Sequence, residues 1–309
     1  MKAVRNAPPE VEVVEVDDPT GTGELVRVAA AGICASDLMY LEYGSRAIAG
    51  HEFSGIGPDG TAVAVEAIFG CGSCSECAER NFNRCQGGGL TALGMLQDGG
   101  MSEYFEAPPH ALIEIPAGLD VRDACLVEPA AVAWHGCHSG GIDSSTRVAV
   151  VGGGAIGILA AASARAMGAP DVAVEARHPH QHRAREVIGA TVPVGNYDVV
   201  VETAGSESGL HRAVDLVRPG GTVVYIGIYG NIAWPHAQAF MKEAALRPSL
   251  GYATHHGRRE FSVAAEMLAS RPELAACLIT HRFPLEDAAE AFRIAKDRSQ
   301  GVFRVVIEP

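Results

Sequence analysis

The chain has 309 residues, 48% of them hydrophobic, which is enough apolar side chain for real cores and too much for a disordered chain. Its 24 Lys and Arg against 37 Asp and Glu leave a net charge of −13, which argues against nucleic acid and anionic membrane as partners, because like charges repel. Glycine is the outlier at 36 residues, against a usual share of about 7%; it is neither periodic nor matched by proline, so collagen-like and low-complexity chains are excluded and loops of close backbone approach are expected.

In chain order, residues 1–9 show no apolar signal region, so no secretory leader is expected. Alternation predicts strands over 11–16 and 24–28 and a short one over 63–65, a β-rich first third. From Arg147 the texture becomes strand, glycine turn and helix, repeated. Strands are expected at 148–151, 172–175, 198–201 and 222–226, with helices at 156–167, 182–188 and 210–217. Such alternation predicts a parallel, doubly wound α/β sheet. Residues 148–164 come nearest to a membrane span, but fall short of the usual ~18–20 residues and are interrupted by Gly152, Gly153 and Gly154. A soluble, cytoplasmic protein without a membrane partner is expected. A last helix over 285–296 precedes a terminal strand over 302–307, whose texture matches the first third. The expected domains are therefore 1–129 with 269–309, and 130–268 between them.

Gly152, Gly154 and Gly157 form Gly-x-Gly-x-x-Gly straight after an apolar strand and at the mouth of a helix. Gly152 makes the tight turn, Gly154 admits a pyrophosphate, and Gly157 lets helix pack on strand. N–H groups at the helix start, Ala155 and Ile156, then face the phosphates, so a nicotinamide dinucleotide is expected. The end of the second strand selects between NAD and NADP. If Glu175 holds that position an acid meets the adenosine ribose and NAD is favoured; if Ala176 holds it the acid is missing, Arg177 and His178 follow, and NADP is favoured. The basic cluster that continues to His182 and Arg183 leans the expectation towards NADP.

Cys71, Cys74, Cys77 and Cys85 give Cys-x2-Cys-x2-Cys-x7-Cys, four thiolates that close around a tetrahedral structural zinc in a lobe over about 70–90. The spacing differs from the ferredoxin run. Cys125, Cys137 and Cys277 sit in apolar stretches and are expected to be packing residues.

Cys34, His51 and a carboxylate from Glu52 or Glu128 make a second donor set, one that leaves a position open for water or substrate. With the Gly32-Ile-Cys-x-Ser-Asp37 and Gly50-His-Glu52 segments, the four-Cys lobe, Asp98-Gly-Gly-x-x-Glu-Tyr104, Glu128-Pro-x-x-Val-Ala133, the glycine loop and Arg218-Pro-Gly-Gly221, the chain resembles the zinc-containing medium-chain dehydrogenases almost end to end. It is most similar to their polyol and sorbitol branch, with threonine dehydrogenase nearby. The resemblance implies a GroES-like catalytic domain plus a Rossmann domain, and a homodimer or homotetramer with two zinc ions per chain. Cys34 and His51 would hold the catalytic zinc, Ser36 would start a proton relay, and Asp37 would orient His51. Glu52 and Glu128 both match acidic positions that ligate in different branches. One thiolate and one carboxylate neutralise Zn²⁺, so one carboxylate is expected on the metal at a time.

The implied reaction is oxidation of a secondary alcohol or polyol, or reduction of the carbonyl. The metal lowers the alcohol's pKa, and hydride passes to the nicotinamide. An amino-alcohol dehydrogenase and a carbonyl reductase are alternatives on the same scaffold, and a non-catalytic NADP sensor is a further one. Met39 stands where relatives often carry a relay histidine. Met39, Tyr40, Tyr43, Phe69, Met101 and Trp134 are candidates for a substrate pocket or for packing, and His255, His256, Arg258 and Arg259 are expected to form a solvated basic loop. The chain is short for the family, with two deletions. Only sixteen residues separate Cys34 from His51, and no helix fits between Ala190 and Asp198.

Overall fold

A computed structural model describes residues 1–87, 91–95, 97–255, 257–297 and 300–309; Gly88, Gly89 and His256, named above, lie outside them. The described chain forms two compact units, Met1–Glu128 with Ala253–Pro309, and Pro129–Tyr252. Residues 253–268, assigned above to the nucleotide-binding domain, thus pack with the first unit. Arg259, at the start of helix Glu260–Ser270, explains this, since it pairs with the buried Glu66 and donates to the His110 carbonyl oxygen at 2.7 Å.

The first unit is built on a sheet in the order Ile279–Pro284, Arg304–Glu308, Glu24–Gly32, Glu52–Ile56, Ala62–Val65 and Leu112–Glu114. Strand Glu24–Gly32 runs antiparallel to Glu52–Ile56 with Gly32 opposite Glu52, so the end of one strand lies beside the start of the next. Arg304–Glu308 pairs on the other side, with Val306 opposite Gly32. Three segments remote in sequence therefore meet at one end of the sheet. The apolar faces of these strands bury Val26, Val28, Phe53, Val63 and Val305, and Phe292 of helix Ala288–Lys296 packs on them. Residues 285–287, expected to open that helix, form a separate 3-10 turn.

Glycine packing beneath His51 accounts for part of the glycine excess. Gly99 N donates to the Ile48 carbonyl at 2.8 Å, Gly100 N to Gly50 at 2.9 Å, and Met101 N to Ala49 at 2.9 Å. A Cβ on Gly99 would enter the Gly50 carbonyl oxygen and approach the Gly94 Cα within 2.7 Å. Gly99→Ala is accordingly expected to cost about 1–3 kcal/mol by overpacking. It should also displace the His51 segment. Denaturant unfolding of wild type and variant checks the cost.

The second unit is the expected doubly wound sheet, all parallel, in the order Asp171–Glu175, Arg147–Val151, Tyr197–Glu202, Val217–Tyr225 and Ala245–Pro248. Between Ala190 and Asp198 no helix forms; Thr191 makes a single bridge to Ala173, through Val174 N and its own N–H. Helix Pro179–Val187 starts earlier than the expected 182–188, with His178 as N-cap and Pro179 in the first turn, where its missing N–H costs nothing. Helix Glu207–Leu216 likewise starts before residue 210, because Ser206 Oγ accepts from Gly209 N at 3.1 Å. No helix among the described residues is long and apolar enough to cross a membrane.

Candidate functional site

The strand pairing just described delivers a donor set. Cys34 follows strand Glu24–Gly32 and caps the N-terminus of helix Ala35–Glu42, while His51 directly precedes strand Glu52–Ile56. Ligand atoms of Cys34, His51 and Glu52 all lie within 4.8 Å of one another. His51 and Glu52 are buried, at 6% and 1% exposure. Asp37, three residues into the helix, accepts from Cys34 N at 2.8 Å and lies 3.2 Å from His51 Nδ1, so one carboxylate orders both the helix start and the imidazole. Nε2 is left facing the thiol side, 3.2 Å from Ser36 Oγ. Burial opposes charging of His51, but Asp37 and Cys34 outweigh it and hold its pKa well above the ordinary value. A thiol, an imidazole with its second nitrogen committed to an acid, and a buried carboxylate suit zinc by donor chemistry.

Arg304, which no local motif marked, is the counter-charge of this cluster. It is 5% exposed, its Nη2 lies 2.9 Å from Glu52 Oε1, and its Nη1 donates to the Ile33 carbonyl at 3.3 Å. Apart from that contact, neither oxygen of Glu52 has a hydrogen-bond partner among the described residues. Burial raises the Glu52 pKa, with Arg304 and His51 opposing. Glu128, in the first turn of helix Val127–Ser139, is pushed up to about 7 by burial. It interacts electrostatically with His51, Cys34 and Arg304, but it is outside the three-residue set whose ligand atoms converge. With the Arg304 guanidinium beside Glu52 and Glu128, a divalent cation would balance both carboxylates and the thiolate, so charge by itself does not limit the metal to one carboxylate.

Cys71, Cys74, Cys77 and Cys85 also converge, with all four sulfurs within 4.8 Å. The short helix Ser75–Ala78 turns Cys74 and Cys77 inward, and a Cβ on Gly87 would come within 2.9 Å of Cys71 Cβ, so glycine lets the lobe close.

In the second unit Gly152 adopts φ +110° after strand Arg147–Val151, and a Cβ on Gly157 would collide with the Gly152 carbonyl. Gly154 N-caps helix Ala155–Ala166, and its Cβ position is open, the side on which a phosphate would approach. Glu175 shares a face with Ala173, and Ala173 packs with Leu210 and Ala213 of helix Glu207–Leu216. On that face Arg212 Nε lies 2.6 Å from Glu175 Oε2. Ala176, in contrast, lies against the glycine loop, with its Cα 3.2 Å from a Cβ built on Gly153. Arg177 and His178 follow and are exposed.

Of the residues expected either to line a pocket or to pack, Met101 and Phe69 pack. Met101 is wholly buried against Gly50, Phe69 belongs to the core, and Tyr43 is 78% exposed. Tyr40 is half-buried and interacts electrostatically with His51, Cys34 and Asp37. Trp134 is half-buried in the second unit. The basic loop is a set of ion pairs, Arg258 with Glu266 and Arg259 with Glu66, which leaves neither guanidinium unpaired for an anion.

Residues 22–117 match the Alcohol dehydrogenase GroES-like domain family and residues 155–270 the Zinc-binding dehydrogenase family. D-xylulose reductase A of Aspergillus oryzae is 30% identical, over 88% of this chain and 86% of that protein. L-idonate 5-dehydrogenase (NAD(P)(+)) of Escherichia coli is 29% identical, over 92% and 91%. The crystal structure of galactitol-1-phosphate dehydrogenase from Escherichia coli superposes with a TM-score of 0.89 at 25% identity, covering 100% of both chains.

Proposed function

We propose, from the premise that this chain belongs to the zinc-dependent alcohol dehydrogenase superfamily, that it oxidises a secondary hydroxyl of a polyol or sugar-acid substrate with NADP as hydride acceptor. The observation that carries the reading is the buried convergence of Cys34, His51 and Glu52 beside the Ser36 hydroxyl. Cys34, His51 and Glu52 would hold the catalytic zinc, with Glu128 as a further carboxylate, and Cys71, Cys74, Cys77 and Cys85 a structural one. When bound, zinc supplies Lewis acidity that lowers the pKa of a substrate hydroxyl. Asp37 keeps His51 in the tautomer that leaves Nε2 free, and Ser36 Oγ receives the substrate proton. With Met39 in place of a relay histidine, that proton would have to exit through water or the cofactor ribose. Gly152, Gly154, Gly157 and the N–H groups of Ala155 and Ile156 would hold the pyrophosphate of a nicotinamide dinucleotide, which when bound would supply the hydride acceptor.

NADP is favoured because the position against the glycine loop is Ala176, while Glu175 is turned away and neutralised by Arg212. Polyol-type substrates are favoured by the relatives, whose names are those of a xylulose reductase and an idonate dehydrogenase. A cytoplasmic homo-oligomer completes the reading; none of the eight cysteines is paired in a disulfide.

The test is a panel of polyols, sugar acids, primary and secondary alcohols and 2-amino alcohols, each assayed with NAD and with NADP. Polyols or sugar acids with NADP are expected to give the highest kcat/KM. A more than tenfold preference for NAD would overturn the cofactor assignment, and best turnover on amino alcohols would overturn the substrate class.

A further inference from the structure

One uncharged side chain binds the turn after strand Asp171–Glu175 and lies beside the glycine loop. Gln181, in the first turn of helix Pro179–Val187, accepts through Oε1 from Arg177 N at 2.9 Å and from His178 N at 3.3 Å. On its other side, a Cβ built on Gly153 would lie 3.2 Å from Gln181 Cβ and Oε1. Gln181 thus fixes the backbone of the turn at 177–178 while lying, with Ala176, close beside Gly153 of the glycine loop. Its Oε1 also consumes the two turn N–H groups, so an anion arriving there finds no free backbone donors at Arg177 or His178.

Recognition then falls on side chains. Arg177 is exposed and its guanidinium has no protein partner among the described residues. His178 stacks on His180, with ring centroids 5.7 Å apart and planes within 4°. The acid that would repel a phosphate is absent from position 176 and, at position 175, is paired with Arg212. A neutral acceptor at 181 fits this set. It shapes the turn as a glutamate would, but adds no negative charge where a second anion must sit.

We infer that Gln181 is the positioning residue for cofactor selectivity, holding Arg177 over the glycine loop so that its guanidinium meets the 2′-phosphate of NADP. This rests on the NADP reading above. Gln181 itself touches the turn and not the phosphate, so its substitution acts on the ratio of affinities more than on the fold.

The experiment is equilibrium titration of the full-length protein with NADPH and NADH, followed by nucleotide fluorescence, for wild type, Gln181→Glu, Gln181→Leu and Arg177→Ala. Gln181→Glu keeps the acceptor and adds a charge, and is expected to weaken NADPH at least tenfold while moving NADH less than threefold. Gln181→Leu removes the acceptor and is expected to lower the NADPH-over-NADH preference at least threefold. It decides the matter if the glutamate variant does not fold. A preference unchanged within twofold in the folded variants, while Arg177→Ala abolishes it, overturns the role of Gln181 and leaves the NADP reading standing. A wild-type protein that binds NADH more tightly than NADPH overturns both.

Discussion

Cys34→Ser is expected to lower kcat/KM by more than about 1,000-fold, because one donor of the metal set is lost and with it the Lewis acid acting on the substrate hydroxyl. The physical argument is local. Cys34 lies at the helix N-terminus, its backbone N–H held by Asp37 at 2.8 Å, and a serine fits that cap without disturbing it. What changes is the donor, since a serine hydroxyl is a far poorer zinc ligand than a thiolate at neutral pH. Zinc content should fall from about two ions per chain to about one, because the cysteine lobe is a separate set of ligands. Dinucleotide affinity should stay within about threefold, since the glycine loop belongs to the other compact unit. Retained turnover in a variant with one zinc per chain would refute the assignment of Cys34. Loss of dinucleotide binding along with activity would show a folding defect instead, and the Tm separates the two.

Arg304→Leu is expected to destabilise the fold by about 3–5 kcal/mol, the cost of leaving a buried carboxylate without its counter-charge. Glu52 is 1% exposed and has no other described partner, so it must either stay charged without compensation or take up a proton. Arg304 itself is held far above the ordinary arginine range, where burial is opposed by Glu52 and Cys34, so it stays charged at every accessible pH. Arg304→Lys should recover part of the loss, because an ammonium restores charge but not the fork that reaches both Glu52 and the Ile33 carbonyl. Denaturant unfolding of metal-free and zinc-loaded protein measures this. The penalty should shrink once zinc supplies a cation beside Glu52. A loss below about 0.5 kcal/mol in the metal-free protein would mean that Glu52 is neutral there and that the pair does not stabilise the site.

The legible parts of this protein were those whose chemistry is written over short stretches of chain. The four cysteines lie within fifteen residues, and they converge as their spacing predicts. The glycine loop follows an apolar strand and opens a helix, and it folds as that order requires, with Gly152 at positive φ. The weaker expectations concerned element ends and packing. Proline at the first helical turn moved a helix start back to residue 179, and the pairing of Arg259 with Glu66 drew residues 253–268 into the first unit. Met101 fits either a pocket or a core in the sequence, because a methionine looks the same in both; its burial against Gly50 puts it in the core.

The sequence by itself determined the class of fold, two clusters of candidate metal donors as residue types, and the glycine loop. These depend on period, spacing and turn chemistry, which act between neighbours along the chain. Tertiary structure decided the rest. Antiparallel pairing of Glu24–Gly32 with Glu52–Ile56 and Arg304–Glu308 put a C-terminal arginine against Glu52, and that guanidinium changed the charge balance of the whole cluster. Glu175 turns to the face it shares with Ala173, and there its counter-charge is Arg212, a partner from a later helix. A charge on a short segment has no fixed partner until long-range pairing supplies one, and burial then makes that partner indispensable.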